Sequence, residues 1–171
     1  QDVKCALGRL RQKSAEFGID SNRAALLGRS AGGQLALLAG YSTAEVSLPP
    51  ACAVPEAPVQ AVVAIYPFTD LRAAHEHPPS PDPEETRSVL EAHLGGAPSA
   101  LPAVYARATP QTFVAPLPGR KLPPTLFLHG KSDMLVPLWH SERLYEALRG
   151  IDQPTTLVAI PLAEHGFDFR A

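Results

Sequence analysis

The chain has 171 residues, 45% of them hydrophobic and 19% charged, with a formal net charge of −2. That length and composition suit one soluble domain with a real core and exclude two domains of ordinary size. So small a charge gives no reason to expect nucleic acid or an anionic membrane as a partner, and no apolar run approaches the roughly 20 residues that span a bilayer.

The sequence opens on Gln1, directly into a helical pattern, so the compartment is not legible beyond a cytoplasmic default. Val3, Leu7, Leu10 and Phe17 recur on one face and predict an amphipathic helix over Asp2 to Phe17, stopped by Gly18. The two cysteines, Cys5 and Cys52, have no metal-ligand spacing and read as buried or free thiols in preference to a disulfide. A short strand is expected over Arg23 to Leu27, a helix over Ala31 to Tyr41, and a loop over 42–58, where four prolines fall. Val59 to Tyr66 is almost wholly apolar and rich in β-branched residues, the mark of a parallel strand buried on both faces. Thr125 to His129 and Thr156 to Ile160 repeat the pattern, with a helix over Ser141 to Arg149 between them. Residues 71–124 form a proline-rich excursion with one helical stretch, Glu84 to Leu94, too long for a simple strand-to-helix connection. It is expected to be a cap and pocket wall within a single 1–171 domain.

Chemistry concentrates in three places. Leu26-Leu27-Gly28-Arg29-Ser30-Ala31-Gly32-Gly33 runs from strand to helix through a G-x-S-x-G turn, which lifts Ser30 out as a nucleophile elbow. A Cβ at Gly28 or Gly32 is expected to collide across that turn. Asp133 follows the strand ending in His129-Gly130, and His165 follows the last strand, giving the order Ser, acid, His. In this reading His165 is the base that takes the Ser30 proton, Asp133 fixes its tautomer, and the Ala31 N–H supplies one oxyanion donor. Asp70 is an alternative acid. Asp168 and Glu164 lie too near His165 in sequence to face its ring, and His129 reads as a packed, loop-anchoring residue. His75, His77, His93 and His140 are expected to be solvated.

These stretches, with Ile65-Tyr66-Pro67-Phe68-Thr69-Asp70, Leu94-Gly95-Gly96 to Thr109-Pro110, Val136-Pro137 and Glu164-His165-Gly166-Phe167, resemble the α/β-hydrolase esterases of the hormone-sensitive-lipase-like and bacterial feruloyl-esterase-like groups. The resemblance implies an α/β-hydrolase fold, here a partial parallel sheet flanked by helices. It further implies hydrolysis of small carboxylic esters through an acyl-serine, with no cofactor and no metal. Family members carry further strands and a His-Gly-Gly loop before the equivalent of Asp2, so the sequence reads as the C-terminal part of such a domain. A strand edge left unpaired in that way is expected to favour self-association. Two other readings stay open, a peptidase of the prolyl-oligopeptidase type and a non-catalytic fragment.

Overall fold

The computed structural model describes residues 1–43, 48–115 and 121–169. Four strands, β1 (Ala25–Arg29), β2 (Ala61–Ile65), β3 (Thr125–Gly130) and β4 (Thr155–Ile160), form one sheet in the order β1-β2-β3-β4. All three pairings are parallel, as expected for apolar, β-branched runs joined by helical crossovers. The register sets Gly28, Ala64, Phe127 and Leu157 in one row across the sheet.

That row faces the main core. Helix α3 (Ala31–Tyr41) crosses from β1 to β2, and α7 (Trp139–Arg149) from β3 to β4. Leu37 of α3 and Leu144 of α7 are fully buried with Val62, Ala64 and Phe127, and Leu7 of α1 (Asp2–Gln12) packs against the same cluster. Burying side chains of this size contributes roughly 1.5–3 kcal/mol each. The alternate strand positions point the other way, where Leu27 is 68% and Val158 42% exposed.

The first helical stretch breaks at Lys13, so α1 is followed by a separate turn, α2 (Ser14–Phe17), which Gly18 ends in the left-handed conformation, φ +65°. The strand before the elbow lies two residues later than expected. A larger correction concerns residues 71–124. Besides α5 (Thr86–Leu94), they contain α4 (Leu71–Glu76), capped by the Asp70 carboxylate accepting from the Ala73 N–H at 2.9 Å, and α6 (Pro102–Ala108). Proline at the first position of α6 is compatible with a helix start, where no intrahelical donor is needed. Leu71, Ala74, Leu90 and Tyr105 give these helices a second small core. Residues 116–120 of the excursion and 44–47 of the loop lie outside the described residues.

Cys5 and Cys52 are joined in a disulfide, against the expectation of thiols. Their separation of 47 residues carries no spacing signature, and the fold alone brings α1 against the loop that returns to β2. The buried Lys4 ammonium fastens the same junction, donating to the Ser42 and Leu48 carbonyls at 2.5 Å each and pairing with Glu56 at 3.1 Å.

Candidate functional site

Ser30 sits between the end of β1 and the first residue of α3 with φ +51° and ψ −123°, a region that costs a non-glycine residue about 1–3 kcal/mol. Its N–H donates to the Ile65 carbonyl at 2.9 Å, tying the turn to β2. A Cβ on Gly28 would land on the Gly32 carbonyl group, so the strand needs glycine there. Gly32 itself is different: a Cβ there meets nothing within 4 Å, which corrects the expected collision. The tight partner is Gly33, whose Cβ would stand 3.1 Å from both the Gly28 oxygen and Pro67 Cβ. Ala31, first in α3, has an N–H with no intrahelical acceptor, at the positive end of the helix dipole.

Asp133 lies three residues beyond β3, its side chain fully buried. Oδ1 accepts the N–H groups of Leu135 (3.0 Å) and Val136 (2.8 Å). Oδ2 faces His165 Nδ1 at 2.8 Å and His129 Nε2 at 3.5 Å. Burial pushes this carboxyl up, but the bonds from His129, His165 and the Val136 N–H outweigh it and hold the group well below the usual carboxylate range. It is ionised at neutral pH.

The carboxylate accepts, so His165 carries its proton on Nδ1, and Nε2 is left to accept from Ser30 Oγ at 3.1 Å. Neighbouring strands stand about 4.8 Å apart, so β4 and β1 are separated by three such spacings and the base must fold back across the sheet. The loop after β4 does this with Leu162 at φ +59° and Gly166 at φ +75°, and the Ala163 carbonyl accepts from the Ser132 N–H at 3.0 Å.

The structure thus brings Ser30, Asp133 and His165 into one hydrogen-bonded line. Asp70 is taken up as a helix cap, and Glu164 is exposed. His129 is buried and anchored. Nε2 donates to the Val136 carbonyl at 2.8 Å, and Nδ1 meets Ser141 Oγ at 2.7 Å. His77 and His93 are exposed, whereas His75 is half-buried and pairs with Glu91 at 2.7 Å. His140 overturns the expected solvation. It is 1% exposed, stacked on Trp139, and its Nδ1 faces the Thr69 N–H at 3.4 Å. Burial, then the neighbouring His129 and Arg143, push its pKa down to about 3, and the ring is neutral.

Three residues that the sequence did not place here, Arg29, Tyr66 and Asp168, form a bonded set whose Tyr66 ring packs on the base. Asp168 does not bond the His165 ring; it accepts from the Tyr66 hydroxyl and pairs with Arg29 at 3.0 Å. Beside Ser30 and His165 opens a cleft of about 320 Å³, walled by Phe68, Val89, Leu90, Leu135 and Val136, with Glu84 and Thr86 at its side. Such a wall accepts an apolar group of modest size. Among the described residues no cluster of His, Cys, Asp or Glu is arranged to hold a metal ion, and no helix is long and apolar enough to cross a membrane.

The BD-FAE family model matches residues 1–148. The chain is 31% identical over 171 residues to "Probable carboxylic ester hydrolase LipM" of Mycobacterium tuberculosis, an alignment covering 98% of this chain and 37% of LipM. It is also 31% identical to esterase LipQ of the same organism, over 99% of this chain and 39% of LipQ. Among solved structures, the acetyl ester-xyloside bifunctional hydrolase of Caldicellulosiruptor lactoaceticus superposes with a TM-score of 0.73 at 27% identity, covering 98% of this chain and 56% of that one. The fold is that of the α/β-hydrolase esterases. The chain spans well under half the length of these curated relatives.

Proposed function

This chain belongs to the BD-FAE family, and on that premise we propose that it carries the catalytic triad of a serine esterase acting on small carboxylic esters. The observation that carries the reading is the line Ser30 Oγ, His165, Asp133, at 3.1 Å and 2.8 Å, opening on an apolar cleft. The names of LipM and LipQ support ester hydrolysis as the reaction class.

In this mechanism Ser30 Oγ attacks the ester carbonyl as His165 Nε2 takes its proton. Nδ1–H stays on the imidazolium, stabilised by the ionised Asp133. The tetrahedral oxyanion forms against the Ala31 N–H, where a preorganised donor contributes a few kcal/mol. Collapse breaks the bond to the alcohol oxygen, which receives the proton from Nε2. Water then attacks the acyl-serine with His165 again as base, releasing the acid. The acyl group lies in the cleft against Phe68, Leu90 and Val136.

The test is labelling of the 171-residue chain with a fluorophosphonate, read by intact mass, with Ser30→Ala alongside. One adduct per chain, lost in the variant, is expected. A folded chain that takes no label, and leaves short p-nitrophenyl esters intact, overturns the reading in favour of a non-catalytic fragment.

A further inference from the structure

Behind the His165 imidazole lies a set of contacts that the proton relay does not use. Tyr66 directly follows β2, is 1% exposed and holds φ +39°. Its ring lies against His165, centroids 4.3 Å apart and planes inclined by 51°. The Tyr66 hydroxyl donates to Asp168 Oδ1, and Oδ2 of the same carboxylate pairs with Arg29 at 3.0 Å. Arg29 also lies 3.9 Å over the ring of Phe169, and Phe167 meets Tyr66 edge-on at 5.5 Å. Arg29 precedes the nucleophile and Asp168 comes three residues after the base, so one carboxylate joins the segments that carry the nucleophile and the base.

We propose that Arg29, Asp168 and Tyr66 are positioning residues, a clamp that holds the His165 imidazole in line with Ser30 Oγ. The proposal rests on the esterase reading of Ser30. The base reaches the nucleophile from a strand three places away, on a loop with two left-handed residues. The bond to Asp133 fixes where Nδ1 sits but not how the ring rocks about that bond, and rocking swings Nε2 away from Ser30. A wall against the ring face removes this freedom. Tyr66 is that wall, its hydroxyl held by Asp168, and Asp168 is held by the residue whose backbone continues into Ser30. The frame of reference for the base is thus the nucleophile itself. A displacement of 1 Å in such a geometry costs up to roughly 10²-fold in rate.

The test uses the 171-residue chain with Tyr66→Phe, Asp168→Asn and the double variant, plus Arg29→Ala and Arg29→Lys. Fluorophosphonate acylation is followed over a concentration series, which separates the maximal rate from the half-saturating concentration. Each of Tyr66→Phe, Asp168→Asn and Arg29→Ala is expected to lower the maximal rate about tenfold, within the range set by misplacement, and to leave the half-saturating concentration within about twofold. Arg29→Lys restores most of the rate, and the double variant is no slower than the slower single, because both act through one contact. Maximal rates within about twofold of the parent, or losses that multiply in the double variant, overturn the clamp. A parent chain that is never acylated sinks the esterase reading alone. The clamp is then read from the carbon-bound ring proton resonances of His165, assigned with His165→Gln. Broadening in Tyr66→Phe and Asp168→Asn supports it, and lines identical to the parent's overturn it.

Discussion

At the carboxyl ends of the strands, Thr69, His129, Asp133, His140 and Ser141 are buried and bonded to one another or to the backbone. At the other end, α1 is fastened to the loop entering β2 by a disulfide, by Lys4, and by the Arg11 guanidinium on the Ala57 and Pro58 carbonyls at 2.6 Å and 2.7 Å. The carboxyl end and Lys4 place polar groups out of water and satisfy them, while the Arg11 bonds lie at the surface. The difference is in what the bonds fix. The staple end fixes backbone against backbone, so its loss is felt as stability. The carboxyl end fixes the direction of side chains, so its loss is felt first as chemistry.

If that division holds, substitutions sort into two classes. Ser30→Ala removes the nucleophile and is expected to abolish labelling and to lower ester turnover by about 10⁶-fold, with an unchanged melting temperature. Asp133→Asn keeps an acceptor for the Leu135 and Val136 N–H groups but leaves His165 without the charge that fixes its tautomer. A loss of about 10⁴-fold in turnover is expected, with a lower melting temperature as well, because the carboxylate held below its ordinary range contributes stability at neutral pH. Unfolding of Ser30→Ala near the parent's midpoint, measured by circular dichroism, checks the division, and Asp133→Asn is expected to unfold below it. A collapse in the stability of Ser30→Ala would place the elbow with the structural staples instead.

The staple end is expected to behave in reverse. Replacing both cysteines by serine opens the loop that the disulfide closes across 47 positions and costs about 2–4 kcal/mol in denaturant unfolding. The rate of phosphonate labelling per folded molecule stays within about twofold. Loss of that rate along with stability would mean that the two ends communicate through α3.

How much of this was legible in the sequence follows from range. The strands and α3 announce themselves locally, through apolar runs and the glycines of the elbow. The Ser, acid, His order is visible because each residue follows a strand, and parallel strands bring such loops to one edge. The disulfide, the Tyr66–Asp168 contact and the burial of His140 depend on residues 47, 102 and 71 positions apart, and no local pattern encodes them. The helices α4 and α6 are short, and prolines around them imitate a loop.

A smaller effect tests the buried network by pH. His140 is neutral in the fold, with its pKa pushed down to about 3 from an ordinary 6.5, so the unfolded chain binds more protons between those values. Stability therefore falls as pH drops through that window, by at most about 1.4 kcal/mol per pH unit. Asp133 is held below its ordinary range, so its contribution persists above about pH 4 and is lost only in stronger acid. His140→Phe keeps the stacking on Trp139 and is expected to flatten the slope between pH 6 and 4.5 in urea titrations, taking pH steps of about half a unit. An undiminished slope would assign it to groups other than His140.

The smallest effect separates two glycines of the same turn. Gly28 faces the Gly32 carbonyl, and Gly28→Ala would have to push β1 and α3 apart, which disables the elbow. Gly32 has open space where its Cβ would be and lies within the first turn of α3, an ordinary helical position. Alanine there restricts the unfolded chain and suits the helix, so Gly32→Ala is expected to stabilise by about 0.5 kcal/mol and to leave labelling within about threefold. Differential scanning calorimetry beside the labelling assay decides it. A destabilised or unlabelled Gly32→Ala would mean that the carboxyl end tolerates no change even where the chain leaves room. A stabilised and active one confines the intolerance to the atoms that touch Ser30, Asp133 and His165.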